Sequence, residues 1–377
     1  MSVTPKAAKR GRTHRIECVP SEPARIVAIG TAVPAHDIHH AFIDWAAARL
    51  ADPAQTALFK RMAARSGINH RYSVLPIGAN GGSPIATGGF YEDSVLPPTS
   101  ARMALYGDYA PALAMKAIAA LGEQTKLDGI THIVVASCTG FIAPGLDQII
   151  AREMGLSDQV ERLLVGFMGC YAAIAALRSA RHIVRSDPAA RVLVVTVEIS
   201  TLHLQDDVEI EPLLAMLQFG DGAAAALVTS GGTGLSIERP FAINLPDSED
   251  LIRWTIGDQG FAMHLSGEVP GRIADALRQS HVRDILTGGA AANAIADWAV
   301  HAGGRSILDA VANALALDAG ALETSRAVLE AYGNMSSATL MFALAASFTK
   351  RPRSGVAIAF GPGLACEGFG YRWIDDA

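Results

Sequence analysis

The chain has 377 residues, of which 50% are hydrophobic and only 18% are charged, so it is long enough for one large domain or two fused ones and too apolar to be disordered. The formal net charge is −6. A charge of this sign supplies no concentrated basic surface for phosphate groups, and we therefore exclude nucleic acid as a partner.

The first 24 residues form a basic segment. Five cationic side chains occur in it before any acidic residue: Lys6, Lys9, Arg10, Arg12 and Arg15. We interpret residues 1–24 as a basic N-terminal tail, with contact to anionic lipid as the alternative. No apolar run follows these charges, so the sequence predicts neither a secretory signal peptide nor a membrane span, and we expect the protein in the cytoplasm.

The rest of the chain alternates β-branched runs with Ala-rich stretches of helical spacing, which is typical of an α/β fold. In the first half the sequence predicts strands at 25–30, 132–137, 191–200 and 223–229, and helices at 110–121, 145–154 and 171–184. In the second half it predicts helices at 273–287 and 305–317, and strands at 297–300 and 355–360. Such helices cover a largely parallel or mixed sheet.

A glycine-rich turn at 231–234 separates two stretches that repeat this pattern. Because it is too short for a flexible linker, we predict two similar halves, 25–237 and 238–377, packed as one body. Four cysteines occur without CxxC spacing: Cys18, Cys138, Cys170 and Cys366. This spacing indicates reduced thiols, with neither a disulfide framework nor a metal site.

One of these cysteines, Cys170, lies at a position that suits a nucleophile. Cys170 follows a glycine turn and begins an Ala-rich helix, and a helix N-terminus with a nearby imidazolium would stabilise its thiolate. His301 ends a predicted strand, and Asn334 precedes an apolar helix. Taken singly, the three residues are equally compatible with a core cysteine, a structural histidine and a helix cap.

Five segments in chain order resemble the chalcone synthase-like type III polyketide synthases. They are Gly169-Cys170, FGDGAA at 219–224, HAGG at 301–304, YGNMSSA at 332–338 and FGPGL at 360–364. The resemblance runs from about Arg25 to the C-terminus. It implies a thiolase fold of two βαβαβ halves in a layered αβαβα body, a homodimer, and acyl-CoA and malonyl-CoA as substrates, with no metal or other cofactor.

The resemblance also implies roles for individual residues. Cys170 is the expected nucleophile, while His301 and Asn334 bind the thioester carbonyl and drive malonyl decarboxylation. These roles agree with the chemistry, because decarboxylation leaves an enolate whose oxygen needs hydrogen-bond donors. Phe219 corresponds to the gatekeeper between the CoA tunnel and the initiation cavity, and Met263 to a second gatekeeper that is aromatic in plant members.

Further cavity residues follow from the same match. The expected positions are Cys138, Thr139, Glu198, His203, Ser336 and Pro362. Glu198 and Ser336 match a hydrogen-bond network linked to aldol-type ring closure, and His203 matches a cavity-lining position. A salt-bridged glutamate, a capping serine and a satisfied core histidine are the alternatives. The loop after Thr139 is shorter than in plant members, and Ile142 or Ala143 is expected to reach the partner's cavity.

The CoA phosphates are expected at a basic rim. Arg61 and Arg65 lie one helical turn apart, and Gly303, Gly304 and Arg305 follow the HAGG motif. The family's third basic position falls on Leu58. Solvated surface charge is the alternative interpretation of the two arginines.

We therefore expect a polyketide synthase that condenses malonyl-CoA onto a fatty acyl starter held on Cys170 and forms an alkylpyrone, an alkylresorcinol or a related phenolic. The aliphatic cavity candidates Met263, Ile142 and Ala143 motivate the fatty starter. A malonyl-only tetrahydroxynaphthalene or phloroglucinol synthase is one alternative. The others are a ketoacyl-ACP synthase of the initiation type, which usually has His-Gln-Ala-Asn at HAGG, and an inactive lipid-binding homologue.

Overall fold

The structure is a computed structural model that describes residues 23–78, 83–92 and 95–376. The basic side chains of the predicted tail and Cys18 lie outside the described residues. In chain order the strands are β1 (Arg25–Ala32), β2 (His36–Asp37), β3 (Tyr72–Ser73), β4 (His132–Ser137), β5 (Glu161–Gly166), β6 (Val192–Ile199), β7 (Asp221–Thr229), β8 (Gly234–Ser236), β9 (Glu238–Asn244), β10 (Ile252–Gly257), β11 (Gly260–Leu265), β12 (Asp297–Val300), β13 (Gly355–Gly361), β14 (Ala365–Tyr371) and β15 (Trp373–Ile374). The α-helices are α1 (His39–Arg49), α2 (Pro53–Ala64), α3 (Thr99–Gly122), α4 (Leu146–Glu153), α5 (Ala172–Ser186), α6 (Ile210–Met216), α7 (Val269–Arg278), α8 (Ser280–Thr287), α9 (Arg305–Ala314), α10 (Glu323–Tyr332) and α11 (Ser337–Lys350).

Two mixed sheets carry the fold. The first has the strand order β15-β8-β1-β7-β6-β4-β5, in which β4 runs parallel to both β5 and β6. The second has the order β12-β13-β14-β9, with β12 parallel to β13. Every residue of β6 and of β13 is buried, as expected for strands that are covered on both faces.

Helices form three layers around these sheets. On β4, Val134 and Ala136 pack into a central core with α5 and α11, whereas Ile133 and Val135 face an outer core with α1 to α4. A third core lies between the second sheet and α7 to α10. The stacking of helix, sheet, helix, sheet and helix confirms the predicted layered αβαβα body.

The structure corrects two details of the predicted organisation. The helix predicted at 273–287 is two helices, α7 and α8, because Gln279 between them is extended with ψ of 128°. The chain passes from the first sheet to the second at Ile237, but β15 returns and pairs with β8, so the segment 238–377 also supplies a strand to the first sheet. Within the described part of the chain, no helix combines the length and apolar character that crossing a membrane requires.

Candidate active site

A tight turn delivers Cys170 to the start of α5. Phe167 and Gly169 both have positive φ, 56° and 77°, and a three-residue 3-10 helix, Gly169–Tyr171, leads into α5. A Cβ atom at Gly169 would overlap Cδ of Pro362, so the glycine permits close contact with the FGPGL segment. As a result Cys170 lies at the edge of the central core and is only 8% exposed.

Hydrogen bonds join the His301 loop to Asn334. His301 follows β12, and its carbonyl accepts a 2.9 Å hydrogen bond from the Gly303 amide. Asn334 Nδ2 donates to the carbonyl of Gly303 at 3.3 Å, while its Oδ1 accepts from the Ser336 amide at 2.8 Å. These contacts fix which end of the Asn334 amide faces the His301 loop. Both ring nitrogens of His301 are buried and have no hydrogen-bond partner among the described residues.

The backbone also joins Asn334 to the predicted gatekeeper. The Asn334 amide donates to the carbonyl of Gln218 at 2.8 Å, and the Gly220 amide donates to the carbonyl of Asn334 at 3.0 Å. Phe219 and Asn334 therefore form a short parallel bridge. The two residues are thus joined directly through their backbones.

Burial disfavours the charged forms of both the thiol and the imidazole. It raises the pKa of Cys170 to about 12, although the side chains of Ser336 and Asn334 oppose this rise. Burial lowers the pKa of His301 to about 3. Desolvation therefore opposes the imidazolium and thiolate pair that the sequence predicts.

Behind Cys170 lies a buried hydrogen-bond network centred on Glu198. Oε2 of Glu198 accepts from the Cys138 amide and from Oγ1 of Thr139, each at 2.9 Å, and Oε1 accepts from the hydroxyl of Ser337. The predicted partner, Ser336, does not contact Glu198, and its buried hydroxyl has no hydrogen-bond partner among the described residues. Burial raises the pKa of Glu198 to about 7.

His203 is a fully satisfied, neutral histidine. Its Nε2 donates to the carbonyl of Thr139 at 2.8 Å, and its Nδ1 accepts from the Phe261 amide at 3.1 Å. The imidazole stacks on the Phe261 ring with centroids 4.1 Å apart, and burial lowers its pKa to about 3. These contacts make His203 a rigid part of its surroundings.

His203 belongs to a continuous cluster of six rings, which we call the aromatic wall. Its neighbouring centroids lie 4.1 to 6.4 Å apart, and its members are Phe141, Phe167, His203, Phe219, Trp254 and Phe261. Four of them were not among the site residues that the sequence predicts: Phe141, Phe167, Trp254 and Phe261. The wall adds aromatic surface to the aliphatic candidates that the sequence indicates.

A cavity of about 270 Å³ borders the aromatic wall. Its lining includes four rings of the wall, namely His203, Phe219, Trp254 and Phe261, together with Met263, Arg71 and Ser200. The residues Cys170, His301 and Asn334 do not line it. The second predicted gatekeeper, Met263, thus lies beside the first one at this cavity.

The loop after Thr139 lies beside α3. Ile142 packs against the core beneath α3, and neither Ile142 nor Ala143 lines the 270 Å³ cavity of its own chain. The exposed large side chain of this loop is Phe141. The contact of Ile142 or Ala143 with a partner's cavity stays a prediction.

A second cavity, of about 720 Å³, contains most of the predicted CoA-binding residues. Arg65, Gly303, Gly304 and Arg305 line it, and Arg305 Nη1 donates to the carbonyl of Arg65 at 3.2 Å. Arg61 lies on the same helix, α2, but outside this lining. Because Gly303 also accepts from Asn334, this cavity adjoins the catalytic candidates. In the described residues, no cluster of three or more His, Cys, Asp or Glu side chains could hold a metal ion.

Comparisons with known proteins agree with this geometry. The family models for the N- and C-terminal domains of chalcone and stilbene synthases match residues 12–232 and 236–374. The chain is 34% identical to bisdemethoxycurcumin synthase of Oryza sativa subsp. japonica, with 91% of each chain covered. It is also 34% identical to the alpha-pyrone synthesis polyketide synthase-like Pks18 of Mycobacterium tuberculosis, over 71% of this chain and 72% of that protein.

Solved structures give the same result. PKS-I from the brown alga Ectocarpus siliculosus superimposes with a TM-score of 0.83 at 27% identity, covering 94% of this chain and 99% of that one. The C-terminal type III polyketide synthase domain of Steely1 from Dictyostelium superimposes with a TM-score of 0.82 at 26% identity, covering 93% and 99%. The protein therefore belongs to the chalcone and stilbene synthase family of type III polyketide synthases, acyltransferases with a thiolase-like α/β fold.

Proposed function

We propose that this protein holds an acyl starter on Cys170, extends it with malonyl-CoA and releases a pyrone, a resorcinol or a related phenolic. The observation that carries the proposal is the contact of Asn334 with the His301 loop. Its side chain donates to the carbonyl of Gly303, which lines the 720 Å³ cavity. A thioester entering by that cavity would meet thiol and amide together.

Starter loading uses the neutral pair. The sulfur of Cys170 attacks the thioester carbonyl while a ring nitrogen of His301 takes the thiol proton, and the carbon–sulfur bond to CoA then breaks. His301 returns the proton to the leaving CoA thiolate. Neither ring nitrogen of His301 has a hydrogen-bond partner in the described part of the chain, so no hydrogen bond found there opposes this transfer.

Extension requires an oxyanion site. Loss of CO₂ from malonyl-CoA leaves its electron pair as an enolate, whose oxygen accepts from Nδ2 of Asn334 and from a ring N–H of His301. One such donor typically contributes about 2.7–4 kcal/mol to a transition state. The enolate carbon then attacks the acyl thioester on Cys170 and displaces the thiolate. No group beyond the CoA thioesters enters these steps.

The CoA phosphates would bind at the rim formed by Arg65 and Arg305. Both line the 720 Å³ cavity, and guanidinium groups bind phosphate through two parallel hydrogen bonds. Arg305 also lies 3.6 Å from the carboxylate of Asp309, so phosphate binding would compete with that ion pair. Arg61, one turn from Arg65, would act on phosphate only at longer range.

Two starter classes have support. The flexible side chain of Met263 favours a fatty acyl starter, and the relative Pks18 bears the name of an alpha-pyrone synthesis polyketide synthase-like protein. The aromatic wall favours the malonyl-only alternative, because four of its rings line the 270 Å³ cavity. A long acyl chain would have to displace rings of the wall.

We also propose a homodimer formed along β5. This strand lies at the edge of the first sheet and exposes Leu163 and Leu164, while the nearby loop exposes Phe141. An exposed apolar edge strand normally requires a partner.

Product analysis by mass spectrometry tests the proposal. Purified protein would receive malonyl-CoA alone and then acyl-CoA starters of increasing length, with Cys170→Ala as the control. Pyrones or resorcinols that need a long starter and disappear in the variant would support the fatty-acyl assignment, whereas product from malonyl-CoA alone would support the malonyl-only one. Turnover that requires acyl carrier protein would indicate a ketoacyl-ACP synthase, and no product would indicate an inactive homologue.

A further inference from the structure

A buried arginine lies beneath the gatekeeper. Arg71 precedes β3 and is 1% exposed. Its Nη1 donates to the carbonyls of Met216, the last residue of α6, at 3.2 Å and of Phe219 at 2.7 Å. Its Nε donates to Nδ1 of His39 at 3.0 Å. One guanidinium therefore holds both ends of the turn that carries the Phe219 ring.

Burial of this cation is unfavourable. None of the ion pairs found within 4 Å in the described residues includes Arg71, and burial lowers its pKa to about 9, although Asp37 and Asp221 oppose this. An ion transferred into a protein interior costs several kcal/mol unless its surroundings compensate. Here the compensation comes from the nearby carboxylates of Asp37 and Asp221 and from neutral acceptors, including a carbonyl at the C-terminus of a helix.

The stem of Arg71 also contacts both strands of the Phe219–Asn334 bridge. A Cβ atom at Gly220 would lie 3.3 Å from Cβ of Arg71, and one at Gly333 would lie 2.8 Å from its Cγ. Gly220 follows Phe219, and Gly333, with φ of 67°, precedes Asn334. Both glycines leave the space that the arginine occupies.

We propose that Arg71 is a positioning residue that fixes the catalytic Asn334 and the gatekeeper Phe219 relative to each other. Asn334 is placed by its backbone bonds to Gln218 and Gly220. Arg71 holds the turn that contains Gln218 and ends at Phe219, next to Gly220. The inference rests on the proposed function only in assigning the oxyanion role to Asn334. Arg71 touches no reacting atom in this scheme.

The substitution Arg71→Lys tests the inference, because lysine keeps the charge and loses the planar fork. Two rates would be measured on the same preparation: malonyl-CoA decarboxylation, and acylation of Cys170 by hexanoyl-CoA followed by intact-protein mass spectrometry. We expect decarboxylation to fall about tenfold, as for a small misplacement of a catalytic group, while acylation changes little. Equal losses in both rates, or no loss, would overturn the inference.

Arg102→Lys is the matched control. Arg102 is 0% exposed and donates to the carbonyls of Leu202 and Leu204 at 2.8 Å each, away from Asn334. We expect it to affect both rates alike, and a selective loss of decarboxylation there would contradict a specific role for Arg71. If Arg71→Lys does not fold, His39→Leu removes the acceptor of Nε and should give a smaller loss with the same selectivity.

Hydrogen exchange gives a readout that is independent of turnover. The amides of Gly220 and Asn334, which form the bridge, should exchange faster in Arg71→Lys than in the wild type. Unchanged exchange at both amides would overturn the inference even if activity fell. Decarboxylation by the wild-type protein tests the proposed function, whereas the comparison of Arg71→Lys with the wild type tests the role of Arg71. Failure of the one is therefore distinguishable from failure of the other.

Discussion

The hydroxyl of Ser337 donates a hydrogen bond to Oε1 of Glu198, while Oε2 of the same carboxyl accepts from Cys138 and Thr139. This carboxyl connects the start of α11 with the loop that follows β4, directly behind Cys170. It is completely buried, and burial raises its pKa from an ordinary 4.5 to about 7. The acid is therefore a titrating element of the site near neutral pH.

Glu198→Gln should flatten the dependence of stability on pH. Because the pKa of Glu198 is higher in the folded state, the folded protein binds more protons than the unfolded chain between pH 4.5 and about 7, and stability falls as pH rises through this window. The shifted pKa of Glu198 changes the free energy of unfolding by about 3 kcal/mol across this window. Urea unfolding should show that the free energy of unfolding decreases less between pH 5 and pH 8 in the variant than in the wild type. Burial also raises the pKa of Asp221, so stability keeps some dependence on pH in both proteins. Equal dependence of stability on pH in the two proteins would contradict the prediction.

Gly169→Ala should destabilise the protein and abolish turnover. The residue has φ of 77°, and its Cβ would overlap Pro362, so Cys170 must move. Gly155→Ala is the matched control, because Gly155 has φ of 62° and no heavy atom within 4 Å of a built Cβ. We expect the backbone cost of about 1–2 kcal/mol in both variants and loss of product only in the first. Product formation by Gly169→Ala at the wild-type rate would contradict the prediction.

His203→Ala should shift starter preference toward longer acyl chains. The substitution removes the ring that stacks on Phe261 and opens the aromatic wall beside the 270 Å³ cavity. His203→Phe keeps a ring while losing the hydrogen bonds to Thr139 and Phe261, so its preference should stay near that of the wild type. Competition among acyl-CoA starters of different length measures the shift. Identical product profiles in all three proteins would show that the wall does not select the starter.

Asn334→Ala should separate loading from extension. Without Nδ2 the enolate loses one of its two proposed donors, and decarboxylation should fall roughly 10²–10³-fold. Acylation of Cys170 should persist, because the thiol and His301 remain. Release of labelled CO₂ from malonyl-CoA, compared with the mass of the acyl-enzyme, checks both rates. Equal loss of the two would assign Asn334 to loading as well.

Sequence patterns predicted the main elements of the fold well. The strand at 132–137 has the predicted bounds, because its β-branched residues are buried on both faces and leave a clear signal. The short motifs indicated His301 and Asn334, and the structure joins Asn334 to the His301 loop through Gly303. The chemical roles of these residues stay predictions.

Details that depend on tertiary contacts could not be predicted. Ser336 and Ser337 are adjacent and chemically identical, so only the backbone at the start of α11 decides which one reaches Glu198. Trp254 and Phe261 meet in the aromatic wall because of the pairing of β10 with β11, which the sequence analysis did not predict. No periodic pattern in the sequence around Arg71 marks it as a buried cation.

The most direct test of the central claim is intact-protein and peptide mass spectrometry after brief incubation with an acyl-CoA starter. We predict a single acyl group on the peptide that contains Cys170 and none in Cys170→Ala. When malonyl-CoA is added, the acyl group should leave the enzyme as product. Cys138 and Cys366 are internal controls, because both are buried thiols to which the proposed mechanism assigns no acyl group. An unmodified Cys170, or an acyl group on either of the other two cysteines, would contradict the account.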